Sequence, residues 1–342
     1  MTGVTLEPGE VLLVAARGTG EDRGLWLWSQ GPDGWHGRIV DRVADLSSLA
    51  GHPTLPVVYG TDGDERVLGW RIDATGEARI AEGPSGGAEP CHLAVDPSGG
   101  LLVICNYAGG TLGLQRLGPD GGFVGAVDVV ALTGSGPEVD RQEAAHPHQA
   151  VFDGARLFVI DLGADLVREY RLDLSRAGAG VLVEVGLVPV PPGTGPRHGV
   201  MLPGGRMAVS GELGETLIVG HPGDWGVVRS TGLTGPGRAR WERNYPGDIA
   251  RSGDGRLVYL ANRSHGTVAV MDVTGAVAKM VGEIDTGVDW PQHLLVRDGA
   301  LIVAGWDSGR VAVLTLEDGL PVQAATLFDC AAPGWLHVMR RG

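Results

Sequence analysis

Lysine is nearly missing from this chain: Lys279 is the only one in 342 residues, and arginine supplies the rest of the 27 basic side chains. Acidic residues number 41, so the formal net charge is −14. A field of that sign repels nucleic acid and anionic membrane, and neither is expected as a partner. A small anion can still be held where arginines converge. Cysteine is scarce as well. Cys91, Cys105 and Cys330 are odd in number and lack metal-ligand spacing, which argues against a disulfide framework. They read as small buried hydrophobes, with Cys91 and Cys105 able to face each other on adjacent strands as a redox pair. No apolar run reaches the roughly 18 residues of a membrane-spanning helix. The opening MTGVTLEPGEVLLVAARG lacks the basic start and apolar run of a signal peptide, so a cytoplasmic location is expected. Long helix-period patterns are missing too.

What remains is a turn-rich β chain. Its 58 glycines and 21 prolines bound many short β-branched runs, and 43% hydrophobic content is enough for a large core. Seven apolar runs begin near Val11, Val57, Leu101, Arg156, Arg206, Arg256 and Leu301, each followed by a turn and a second alternating strand. The repeat is about 50 residues, the length of a four-stranded propeller blade. More polar outer strands are expected at 122–130, 181–190, 276–284 and 321–328, as suits sheet edges. The first unit lacks room for an inner strand, whereas the C-terminus has an unclaimed one in Pro333-Gly334-Trp335-Leu336-His337-Val338. The expectation is therefore an all-β, seven-bladed β-propeller spanning 1–342 as one domain. Residues 332–339 would complete the blade begun by 11–28 and so close the ring. The stretch 133–146 reads as a loop entering the fourth blade on the side of the site.

Each unit opens on a lead proline and closes on a polar pair. Pro90-Cys91-His92 leads to Asn106-Tyr107, Pro147-His148-Gln149 to Asp161-Leu162, and Pro196-Arg197-His198 to Gly211-Glu212. Pro246-Gly247-Asp248 leads to Asn262-Arg263, and Pro291-Gln292-His293 to Gly305-Trp306. The inner strand runs across the blade and the second strand returns, so both ends meet at one mouth of the central channel. Asn106, Asp161 and Asn262 have the strand-end chemistry of turn holders. His92, His198 and His293 recur two places after the proline, and recurrence favours packing. His92, Asn106, Asp161, His198, Asp248, Gln292 and His293 form the candidate substrate-contacting ring. Four residues stand out because other blades do not repeat them: His148, Arg197, Glu212 and Arg263. Two guanidiniums, a carboxylate and an imidazole in a concave mouth can bind an anion and move a proton. His146-Pro147-His148 has the look of a ligand pair, and the intervening proline with strand alternation makes joint coordination possible but not compelling. No metal and no cofactor is expected.

The segments EPCHLAVDPSGGLLVICNYAGG (89–110), HPHQAVFDGARLFVIDLGAD (146–165), GTGPRHGVMLPGGRMAVSGELGETL (193–217) and IARSGDGRLVYLANRSHGTVAV (249–270) resemble the seven-bladed lactonase family. That family comprises the propeller-type 6-phosphogluconolactonases and their carboxy-cis,cis-muconate cyclase relatives. The resemblance implies site residues at the histidine of the HPH segment, the arginine of GPRH, the glutamate of the Glu-Leu pair and the arginine of the Asn-Arg pair. Here these are His148, Arg197, Glu212 and Arg263. The second unit departs from the family pattern, with only His52-Pro53-Thr54-Leu55-Pro56 in place of a proline-led inner strand. Gln292 stands where the family often has arginine, which bears against a phosphorylated substrate. Gly211 replaces the asparagine before the Glu-Leu pair.

The function expected is hydrolysis of a sugar-derived or carboxylated lactone, a small anionic or polyhydroxylated molecule, with Glu212 or His148 activating water and Arg197 and Arg263 holding the oxyanion or a substrate anion. A glutamate between two arginines stays ionised and is a weak base, which keeps His148 in contention. The alternatives are a lactone-forming cycloisomerase acting on an unsaturated carboxylate, and a propeller that only binds a protein or metabolite.

Overall fold

The computed structural model describes residues 4–18, 20–63, 65–231, 243–297 and 299–342. Every β-branched run singled out above becomes a strand, and the burial of those strands explains the sequence pattern. In one sheet, Leu257–Asn262 and Thr267–Asp272 are buried almost throughout, whereas the outer Lys279–Asp285 is exposed or half-buried along its length. The second strand packs on both faces. Val258 and Leu260 join Leu202, Leu217 and Val219 of the preceding sheet, while Tyr259 and Ala261 join Leu294, Leu301 and Val303 of the following one. The same alternation sends Leu101 and Val103 towards Leu157 and Val159, and Leu102 and Ile104 towards Val57 and Tyr59. Successive side chains point to opposite faces of a strand, so a continuous apolar run is what two-sided burial demands. Each fully buried aliphatic contributes about 1.5–3 kcal/mol.

Seven four-stranded antiparallel sheets result, and the chain is an all-β, seven-bladed β-propeller. Two compact units are distinguished by their internal contacts: Val190–Leu336 in one, and Leu6–Pro189 with His337–Gly342 in the other. The expected outer strands are found at Phe123–Ala131, Leu182–Pro189, Lys279–Asp285 and Leu320–Asp329. The C-terminal strand Pro333–Arg340 is the inner strand of the first blade, followed in order by Glu10–Ala16, Gly24–Gly31 and Gly34–Asp41. Beyond its end, the Arg341 amide donates to the Gly9 carbonyl at 2.8 Å.

One boundary differs from the sequence reading. The inner strand of the second blade is Leu46–Gly51, and His52–Pro56 is the turn after it. The His52 amide donates to the Val57 carbonyl at 2.8 Å, and its ring Nδ1 accepts the Leu55 amide at 3.1 Å. That blade has no lead proline, and the nearest proline-rich segment drew the assignment downstream. The stretch 133–146 is a loop as expected, up to Pro147–Asp153. Among the described residues no helix is long and apolar enough to cross a membrane.

Candidate functional site

The backbone of each blade sets its polar residues by register. Pro90 lies opposite Asn106, Pro147 opposite Asp161, Pro196 opposite Gly211, Pro246 opposite Asn262, and Pro291 opposite Gly305. The amide after each closing residue then donates to the carbonyl before the lead proline. Tyr107 bonds Glu89 at 2.9 Å, Leu162 bonds His146 at 3.0 Å, Glu212 bonds Gly195 at 2.9 Å, Arg263 bonds Tyr245 at 3.3 Å, and Trp306 bonds Trp290 at 3.1 Å. Three side chains per blade therefore meet at one end of the sheet: those before the proline, after the proline, and after the closing residue.

In the unit Val190–Leu336 this arrangement produces a buried ionic cluster. Arg197 follows the lead proline of its blade, Glu212 follows the closing residue of the same blade, and Arg263 follows the closing residue of the next. Arg263 Nη2 stands 2.5 Å from Glu212 Oε2, and Arg197 Nε is 3.1 Å from the same oxygen. The three residues are only 4%, 4% and 8% exposed. Arg263 is held further by its Nε, which donates to the Tyr245 carbonyl at 3.0 Å, and by the Trp290 ring, 5.1 Å from its guanidinium carbon. Its stem fits because Gly247 has no side chain: a Cβ there would stand 2.7 Å from Arg263 Cδ. One carboxylate between two guanidiniums leaves one positive charge in excess, in a setting where little water screens it.

The residues two places after the prolines do a different job. Asp248 accepts from His198 Nδ1 at 2.7 Å through one oxygen and from the Leu294 amide at 2.8 Å through the other. His293 Nδ1 accepts the Leu336 amide at 3.3 Å, and His92 Nδ1 accepts the Ala150 amide at 3.4 Å. Trp335 lies against the His293 ring at 4.0 Å. Asp248, His293 and His92 each satisfy a backbone amide on the next blade, and His198 bonds the Asp248 carboxylate of the next blade, the packing role that their recurrence suggests. Burial pushes the His293 pKa below its usual 6.5, against the partial opposition of Asp248, and Arg197 adds to the lowering. The unfolded chain then binds a proton on His293 more readily than the native one. This contribution is present above about pH 6.5 and is lost as pH falls towards the folded pKa. We expect the urea midpoint to drop between about pH 7.5 and 5.5, and His293→Gln to flatten that dependence.

The closing residues hold turns. Asp161 accepts from the His146 and Ala164 amides at 2.8 and 3.1 Å and pairs with Arg168 at 2.7 Å. The Asn106 amide group donates to Ser85 O and Thr111 Oγ1, and that of Asn262 to Ser230 O and Thr267 Oγ1. His148 belongs to the other unit, where it is half-buried with Tyr107 edge-on at 5.6 Å. Gln292 is half-buried after Pro291. His146 packs flat on Tyr107 at 4.5 Å, donates to its carbonyl through Nδ1 at 2.9 Å, and has Glu143 3.1 Å from Nε2. Among the described residues no group of three or more His, Cys, Asp or Glu side chains is placed to hold a metal ion. All three cysteines are free thiols. Burial raises the Cys105 pKa well above the usual range, which makes it a poor nucleophile.

Sequence reasoning missed two features at these strand ends. Ala16 pairs with Gly24 as the other closing residues pair with their third strands, so Arg17 occupies in the first blade the position of Glu212 and Arg263; it pairs with Asp45 at 2.7 Å. The second is the pair of aromatic residues before the prolines, Tyr245 and Trp290, which no repeated residue type marks in the sequence.

The family described as "Lactonase, 7-bladed beta-propeller" matches residues 39–337. The 6-phosphogluconolactonase of Bacillus subtilis is 31% identical over 295 residues, covering 81% of each chain. That of Formosa agariphila is 24% identical over 294 residues, covering 80% of this chain and 82% of its own. Among solved structures, the periplasmic gluconolactonase PpgL of Pseudomonas aeruginosa shares the fold with a TM-score of 0.82 at 20% identity, covering 97% of this chain and 99% of its own. With a match over most of its length, preserved register in its proline-led blades and the resemblance already carried by its motifs, the chain belongs to the seven-bladed β-propeller lactonase family.

Proposed function

We propose that the protein hydrolyses a sugar-derived lactone at the Arg197–Glu212–Arg263 cluster, in the cytoplasm. The observation that carries this reading is the buried carboxylate shared by two guanidiniums, 2.5 and 3.1 Å from one oxygen. Opening a lactone requires water to attack the ring carbonyl and lose a proton, with negative charge developing on the carbonyl oxygen. The tetrahedral intermediate then collapses, the bond to the ring oxygen breaks, and that oxygen takes up a proton to leave a hydroxy acid. Guanidiniums aimed at the developing charge lower the barrier because they are already oriented. Glu212, the carboxylate of the cluster, is the acceptor for the water proton. Two cationic partners keep it ionised at the cost of basicity. The names of the relatives support a lactone as substrate, and the excess of one positive charge in the cluster suits an oxyanion or a single carboxylate.

The test is proton NMR of a panel of aldonolactones and phosphorylated aldonolactones, each corrected for spontaneous hydrolysis. Catalysed opening of at least one sugar lactone is the expected result. If no lactone is opened faster than in buffer, while a carboxymuconate loses its diene absorbance, the cluster runs a cycloisomerisation. If neither reacts but a ligand raises the melting temperature, the protein is a binder.

A further inference from the structure

Three same-unit pairs of neighbouring blades repeat one contact. The side chain after a closing residue leans on the side chain before the next blade's inner strand: Arg17 on Asp45 as an ion pair, Tyr107 on His146 as stacked rings, and Arg263 on Trp290 with cation over ring. The contact is a scaffold feature, and its chemistry is chosen blade by blade. At Trp290 the choice works against the backbone. The residue precedes Pro291 and has a φ of 55°, in the left-handed region that glycine tolerates and a large side chain does not. Gly195 fills the same place before Pro196 with a φ of 54°. Bulk at Trp290 is therefore not what the turn requires. Tyr245, in the same place one blade earlier, lies 6.2 Å from the Trp290 ring and holds Arg263 Nε through its carbonyl.

Resting on the lactonase reading above, we propose that Trp290 is a positioning residue, whose ring holds the Arg263 guanidinium against Glu212 in the orientation that receives the substrate's negative charge. The ring face attracts a guanidinium most strongly where water is excluded, as around this cluster. Without it, Arg263 keeps its Nε bond to the Tyr245 carbonyl but can swing its terminal nitrogens away from Glu212. A small displacement of a charge-stabilising group is enough to slow a reaction severely. Glu89 before Pro90 and Ala332 before Pro333 have the same left-handed backbone, so that conformation belongs to the turn, and the aromatic ring over Arg263 is what is particular to Trp290.

The experiment compares Trp290→Gly and Trp290→Phe with the intact protein, using the sugar lactone found to be opened fastest. In the glycine variant the relaxed left-handed turn offsets part of the lost ring contact, so it should melt within a few degrees of wild type, yet lose about tenfold or more in kcat/KM, chiefly through kcat. The phenylalanine variant, which restores an aromatic face, should recover most of that loss. A glycine variant as active as wild type overturns the proposal, and so does one whose lost activity accompanies a melting temperature several degrees lower. Failure of the lactonase reading looks different, since the wild type itself would open no lactone. In that event a crystal structure of Trp290→Gly decides: Arg263 turned from Glu212 supports the positioning role, and an unchanged 2.5 Å contact overturns it.

Discussion

Glu212→Gln should lower kcat for lactone opening by about a hundredfold or more, the range seen when a general base or an oriented charge partner is lost. The amide is nearly the same size as the carboxylate, so the variant probes charge rather than shape. It removes the carboxylate proposed to take the water proton. It also leaves Arg197 and Arg263 facing each other across a neutral group, both almost wholly buried. Losing one partner of a buried ionic cluster costs about 3–5 kcal/mol, so the melting temperature should fall too. Kinetics must therefore be taken where circular dichroism shows the variant folded. The split between kcat and KM carries the information: a fall in kcat with KM little changed marks an interaction made in the transition state. Turnover within about threefold of wild type would remove Glu212 as the base.

How far the chain was legible depended on whether a position repeats. Pro90, Pro147, Pro196, Pro246 and Pro291 mark inner strands because each sits opposite the residue that closes the second strand, and this register forces polar residues into phase. The second blade has the same register, Leu46 opposite Asp62, but no proline to announce it, so its inner strand was read too far along. Repetition also separated scaffold from candidate chemistry. The recurring His92, His198 and His293 are occupied with neighbouring blades, while the unrepeated Arg197, Glu212 and Arg263 come together in one cluster. Side-chain reach was not legible. Nothing in the sequence says that Gly247 clears room for Arg263, or that Trp290 turns back over its guanidinium, because both depend on where a long side chain goes after it leaves the backbone. Arg17 and Asp45 escaped for the simpler reason that the first blade borrows its inner strand from the far end of the chain.

Truncation after Ala331 should abolish cooperative folding. The removed segment includes Pro333–Arg340, the inner strand of the first blade, and with it goes the partner of Glu10–Ala16. That strand is buried along nearly all its length: Val11 to Ala16 are at most 3% exposed. Truncation opens its backbone edge beside the buried Leu12, Leu13 and Val14. Leu336, itself 1% exposed, is lost, and His293 loses the amide it accepts from. Several apolar side chains at about 1.5–3 kcal/mol each, with an unpaired ladder added, match the whole net stability of about 5–15 kcal/mol expected of a domain. A hydrophobic strand with a free edge is also a template for pairing with another chain. The truncated protein should therefore be recovered as aggregate, or as a dye-binding species with no sharp melt. A peptide of residues 332–342 supplied in trans should restore a cooperative transition, since the missing element is one antiparallel strand with its acceptors in place. A truncated chain that stays monomeric and melts sharply within a few degrees of the intact protein would mean that Glu10–Ala16 does not need this strand.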